Sequence, residues 1–195
     1  MQETKERMGS GIRKAIVAGA LSAVSITLFL TPFGYIPWIA GASLTVMHVP
    51  AIIGAVLEGP VVGAIIGGIF GITSLIKAAT APQGPIDVFF TNPLVSILPR
   101  VLVGLCAWGV FSLLRKLNQK ISLVAAGIAG SIVNSILVLG ILVVLKAIPI
   151  EIAVGVFVAN SLVEAVAAAI LTLGVVSAWK GIESRQAKAR IAKEE

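Results

Sequence analysis

Charge is what this 195-residue chain has least of: Asp, Glu, Lys and Arg together make up 12% of it. A soluble globular domain carries about twice that share. A large hydrated surface is therefore excluded, and the mean hydropathy of +1.04 points the same way. The one cysteine, Cys106, lies in an apolar run, so neither an intrachain disulfide nor a thiolate metal framework can form. The one histidine, His48, also lies in an apolar run, which excludes a histidine pair for a metal and gives no usable Ser-His-Asp order. No glycine-rich loop ends in Gly-Lys-Ser/Thr, and there is no HExxH. The chain thus reads as a non-enzyme that holds no metal and no cofactor. Its net charge of +6 is not a nucleic-acid signature, because the basic residues gather at the chain ends and in one loop. The first apolar run lacks a small-residue cleavage site and reads as a retained helix.

What is present is a series of apolar runs, at about residues 15–31, 42–57, 61–76, 93–114, 121–145 and 150–179. A helix needs about 20 apolar residues to cross a bilayer, so the second and third are short. The fold class expected is an all-α membrane protein with six transmembrane helices in one domain over residues 15–179. A polar segment at 1–14 precedes it, and a charged tail at 180–195 follows. Six spans put both termini on one side. Twelve of the fifteen Lys and Arg residues fall in 1–14, 115–120 and 180–195, leaving Lys77, Arg100 and Lys146 elsewhere. Positive charge stays inside, so both termini are expected in the cytoplasm. Loops 33–40 and 77–92 then face outward together, and Pro82, Gly84 and Pro85 bar a continuous helix from the second of them.

Residues 41–75, GASLTVMHVPAIIGAVLEGPVVGAIIGGIFGITSL, are the centre of the chain. Glu58-Gly59-Pro60 breaks them into a helical hairpin. Gly63, Gly67 and Gly71 share one helix face, which lets another backbone approach closely. Ala15, Gly19 and Ala23 repeat the small-residue spacing on the first span, either as an internal packing face or as a partner surface.

Polar groups inside a span are costly and mark function by default. His48 and Arg100 are expected about two turns below the outer ends of the second and fourth spans. Asn134 is expected near the middle of the fifth. Asn160 and Glu164 stand one turn apart on one face of the sixth. These five lie beneath the outer loops, at a depth common for transporter substrate sites. Tyr35, Trp38, Thr45 and Asn92, on or beside the outer loops, complete the candidate substrate-binding set. Structural readings stand beside these: headgroup anchors for Tyr35 and Trp38, a helix–helix bond for Asn134, a backbone bond for His48, and an Arg100–Glu164 ion pair.

The segments TVMHVPAIIGA (Thr45 to Ala55), EGPVVGAIIGGIFGITSL, LPRVLVG, VNSILVLG and ANSLVEAVAAAI resemble substrate-binding S-components of energy-coupling-factor (ECF) vitamin transporters. The likeness covers roughly residues 15–179. It implies a six-helix bundle in a prokaryotic cell membrane that captures a scarce vitamin outside and topples in the bilayer to release it inside. It also implies a complex with a transmembrane coupling subunit and two cytoplasmic ATPase subunits. Family members meet the coupling subunit through an AxxxA face on the first helix; Ala15, Gly19 and Ala23 match with glycine in the middle. Pantothenate is the first expectation for the ligand, from the His-Pro second helix and the Asn-x-x-x-Glu sixth. Hydroxymethylpyrimidine, pyridoxine, riboflavin and folate stay open. A stand-alone carrier or channel and a structural membrane subunit are the competing classes.

Overall fold

The computed structural model describes residues 2–31, 34–37, 43–82 and 84–194. Helix α1 (Gln2–Leu30) leads to an antiparallel pair of short strands, β1 (Tyr35–Pro37) and β2 (Ser43–Thr45), with Tyr35 opposite Thr45. Then come α2 (Val49–Glu58), α3 (Pro60–Thr80), a 3-10 turn at Asp87–Thr91, α4 (Pro93–Ser96) and α5 (Leu98–Leu114). The chain closes with α6 (Gln119–Val144), α7 (Ile150–Val156), a π turn at Phe157–Ser161 and α8 (Leu162–Glu194). Among the described residues, five segments are long and apolar enough to cross a bilayer: Ser10–Leu30, Pro60–Thr80, Pro93–Leu114, Gln119–Val144 and Ile150–Arg185.

The second expected span departs from its expectation. Residues 42–57 do not make one helix, because β2 takes the part before Val46 and α2 has only 10 residues. At 1.5 Å per residue α2 is about 15 Å long, half of a hydrocarbon core of about 30 Å. Two local features set its start. Thr45 and Val46 are β-branched and suit an extended chain, and Pro50 sits in the first helical turn, where its missing N–H costs nothing. His48 is consequently the N-cap of α2 and not a residue two turns inside a helix.

Short as it is, α2 is the central post. It packs against α1, α3, α5, α6 and α8, and every residue from Val49 to Val56 is buried. Gly59, with φ of +102°, turns the chain straight into α3, where Pro60 takes the first position. On α3 the glycines face inward, as their spacing predicts. A Cβ on Gly67 would lie 2.0 Å from the carbonyl oxygen of Arg100, and one on Gly71 would lie 2.7 Å from Cα of Ile97. Helices α3 and α5 therefore touch backbone to backbone. Val62, Ile66 and Phe70 share the buried side with the glycines, while Val61, Ile65, Ile72 and Ile76 of α3 are exposed. Helix α8 repeats the pattern, burying Ala165, Ala168, Ala169 and Thr172 while exposing Leu162, Val166 and Ile170. Small residues at the helix contacts and a run of large apolar ones left exposed is the distribution of helices in lipid, where close packing and not apolar burial draws helices together.

One end of the bundle is tied by charge. Arg13 of α1 bridges to Glu58 at 2.7 Å and to Glu183 of α8 at 2.8 Å. The Trp179 indole N–H donates to the same Glu183 oxygen at 2.9 Å. The early part of α1, the α2–α3 turn and the late part of α8 thus meet at one end.

Candidate functional site

The half-length of α2 leaves room above its first residue, and there the structure opens a cavity of about 220 Å³. Its wall is built from several elements. The segment entering α2 gives Thr45, Met47 and His48; α1 gives Phe29; α3 gives Phe70, Ser74, Lys77 and Ala78. Ala81, Asp87 and Phe90 come from the connection after α3, Arg100 from α5 and Asn134 from α6.

Arg100 owes its place to its neighbours in sequence. A helical residue at position 99 would donate its N–H to the Val95 carbonyl, but proline has none. Arg100 folds back, and its Nη1 donates to that carbonyl at 2.6 Å. Its guanidinium carbon also lies 5.4 Å from the ring centroids of both Phe70 and Phe90, within cation–π reach. Phe70 meets Phe29 edge to face at 5.7 Å, and Lys77 Nζ stands 4.8 Å from the Phe29 ring. One side of the cavity is thus an aromatic frame holding two cations. The Ser96 hydroxyl donates to the Phe90 carbonyl and ties that frame to α4.

Two other wall residues each carry an unsatisfied polar atom. His48 Nε2 and Asn134 Oδ1 are buried and have no hydrogen-bond partner among the described residues. A buried polar atom left open costs about 1–3 kcal/mol, so such atoms in a cavity wall are groups to which a ligand or water can bond.

The remaining candidates fall into three groups. Glu164 is buried but does not line the cavity; its Oε1 accepts the Thr45 N–H at 2.6 Å and the Thr45 hydroxyl at 2.9 Å. Asn160 is buried in the π turn with Oδ1 unpartnered among the described residues, and it too is outside the lining. Asn92 is half-buried, lies outside the lining and caps α4, its Oδ1 accepting the Leu94 N–H at 2.9 Å. Trp38 lies outside the described residues, and of Tyr35 only the backbone in β1 is described. The sequence reasoning missed Lys77, Asp87, Phe29, Phe70 and Phe90. The signal for Lys77 was its place one turn before the Pro-rich connection, where α3 still runs on to Thr80.

Ala15, Gly19 and Ala23 are all exposed, and a Cβ on Gly19 would meet nothing within 4 Å. Within this chain, then, the stripe is not a packing face.

The family described as ECF transporter, substrate-specific component, matches residues 13–176. Two relatives carry names. The pantothenate transporter PanT of Leuconostoc mesenteroides is 31% identical over 131 residues, 65% of this chain and 64% of that protein. The pantothenic acid transporter PanT of Lactococcus lactis is 28% identical over 182 residues, 84% of this chain and 91% of that protein.

Proposed function

Because the chain belongs to the family of ECF transporter substrate-specific components, we propose that it is the capture subunit for pantothenate in a vitamin importer. It is a multi-pass protein of the plasma membrane. In this reading both termini face the cytoplasm, and the cavity opens outward. Uptake is driven by two cytoplasmic ATPase subunits through a transmembrane coupling subunit, and this chain hydrolyses nothing itself.

The observation that carries the reading is Arg100. A buried arginine on the wall of a vitamin-sized cavity answers an anionic group, and pantothenate brings a carboxylate. The start of a half-length helix beside it adds a partial positive charge, an arrangement that transporters use for anionic substrates. His48 and Asn134 supply hydrogen bonding for the hydroxyl and amide groups of the same molecule. Both named relatives are pantothenate transporters, which favours this vitamin over the other four.

Titration calorimetry on the purified chain in lipid nanodiscs tests the ligand. Pantothenate is expected to bind tightly, one per chain, and riboflavin, folate, pyridoxine and hydroxymethylpyrimidine not at all. Tight binding of one of those instead overturns the ligand assignment, and no binding by any favours a structural subunit. Transport by the chain alone in liposomes, without ATPases, favours a stand-alone carrier.

The exposed stripe on α1 supports docking to the coupling subunit through that helix. Gly19→Trp fills no internal space, since nothing lies within 4 Å of that position. It is expected to abolish uptake in cells while leaving the dissociation constant of the purified chain within about twofold, under 0.5 kcal/mol. Binding and uptake lost together remove α1 from the partner surface.

A further inference from the structure

Segment 45–48 supplies three residues of the cavity wall, and it is neither strand nor regular helix over most of its length. Two side-chain anchors hold it, beside its pairing with β1 and the backbone bond from the Val46 N–H to the Gly34 carbonyl at 3.4 Å. From α1, the fully buried Ser25 hydroxyl donates to the Met47 carbonyl at 2.8 Å. From α8, one oxygen of Glu164 takes both donors of Thr45, the N–H at 2.6 Å and the hydroxyl at 2.9 Å. Glu164 is 119 residues away in sequence and does not reach the cavity itself.

We infer that Glu164 is a positioning residue that acts through Thr45: it holds the entry segment of α2 closed against the cavity and fixes the polarity of the Thr45 hydroxyl. The inference rests on the reading that this cavity holds the transported ligand. Two short bonds on one oxygen define both the position and the rotation of Thr45. Because the hydroxyl proton goes to Glu164, the lone pairs of Oγ1 are what remain for the cavity. Asn134 Oδ1 is likewise an open acceptor. The neutral side of the wall therefore recognises a ligand that brings hydrogen-bond donors, hydroxyl or amide, along with its anionic group. Losing the anchor frees the wall after the ligand is seated, so the effect falls on dissociation.

The test uses Glu164→Ala, Glu164→Gln, Thr45→Ser and Thr45→Val in nanodiscs, with pantothenate as probe and a thermal melt of each. Glu164→Ala is expected to raise the dissociation rate about tenfold or more, with the association rate within about twofold. The Gln variant keeps an oxygen that accepts both bonds and should stay within about threefold of wild type. Thr45→Ser keeps both donors and should match wild type, whereas Thr45→Val loses one and should fall between. The double variant Glu164→Ala with Thr45→Val should be less damaged than the two single effects added together, because both remove the bond between Glu164 and the Thr45 hydroxyl. A Gln variant as damaged as the Ala variant, at equal melting temperature, overturns the inference and gives the charge itself a role at the ligand. Amide exchange at Thr45 in the ligand-free protein separates this from the ligand reading. Faster exchange in Glu164→Ala supports the anchor even if pantothenate does not bind, and unchanged exchange overturns it.

Discussion

Arg100→Gln is expected to weaken pantothenate binding by about 2–5 kcal/mol, the cost of removing one member of a buried charged contact. Arg100→Lys is expected to lose at least tenfold, because a point charge cannot reproduce the planar fork that meets a carboxylate along two bonds. The residue has a second duty, which the experiment must separate. Its Nη1 occupies the Val95 carbonyl that Pro99 leaves open, and Val95 is fully buried. Emptying that carbonyl costs about 1–3 kcal/mol of stability irrespective of ligand. Pro99→Ala restores the missing N–H. In that background Arg100→Gln should recover its melting temperature while binding stays weak. Calorimetry and melts on the single and double variants read the two duties independently. Full binding by Arg100→Gln with Pro99→Ala would sink the anion-recognition role. Recovery of binding on adding Glu164→Gln would instead make Arg100 and Glu164 a structural pair.

Gly67→Ala should be nearly as severe without touching a polar atom of the site. The added carbon would sit 2.0 Å from the Arg100 carbonyl oxygen, 2.7 Å from its carbon and 3.2 Å from the Val101 nitrogen. All three are backbone atoms, so no rotamer change relieves the clash and α5 must move away from α3. Overpacking of this kind costs about 1–3 kcal/mol, occasionally more. The displaced helix is the one that carries Arg100, so affinity falls with stability. Neighbouring positions serve as controls. A Cβ on Gly68 meets only Val101 Cγ2 at 3.7 Å, and one on Gly109 meets nothing within 4 Å. Alanine at either should melt at or above wild type. A wild-type melt for Gly67→Ala would mean that α3 and α5 do not pack this closely.

The parts of this fold legible in the sequence are those that the bilayer dictates. Its thickness demands long apolar runs, and α3, α6 and the 93–114 segment begin or end within four residues of where composition places them. Fourfold glycine spacing marks a close contact wherever it falls on a helix, and the α3 face is such a contact. Arg100 stands out because its charge is costly in that setting. Other features write no such mark. Residues 43–48 mix polar and apolar side chains over too short a stretch to show a period, so a strand and the start of a buried helix are not told apart there. The half-length of α2, the position of His48 at its cap and the cavity above it were hidden for that reason. The π turn at Phe157–Ser161 leaves the composition of the last span unchanged and is equally silent. Asp87 and Phe90 reach the cavity from an aperiodic connection, where no periodicity assigns a face. Asn92 carried a readable sign of another kind: it precedes Pro93, the Asn-Pro order of a helix start, and the structure uses it as a cap.

A ten-residue α2 also has an electrical meaning. A membrane potential falls across insulating material, not across a water-filled vestibule. In the orientation proposed above, the cavity opens to the outside with only half a hydrocarbon thickness beneath it, so most of the field drops below the ligand. An anion arriving from outside therefore reaches Arg100 having crossed little of that field, and its affinity should scarcely depend on voltage. The work of moving one negative charge toward a negative interior, about 2.3 kcal/mol per 100 mV, is deferred to the release step, the step that the proposed ATPase subunits drive.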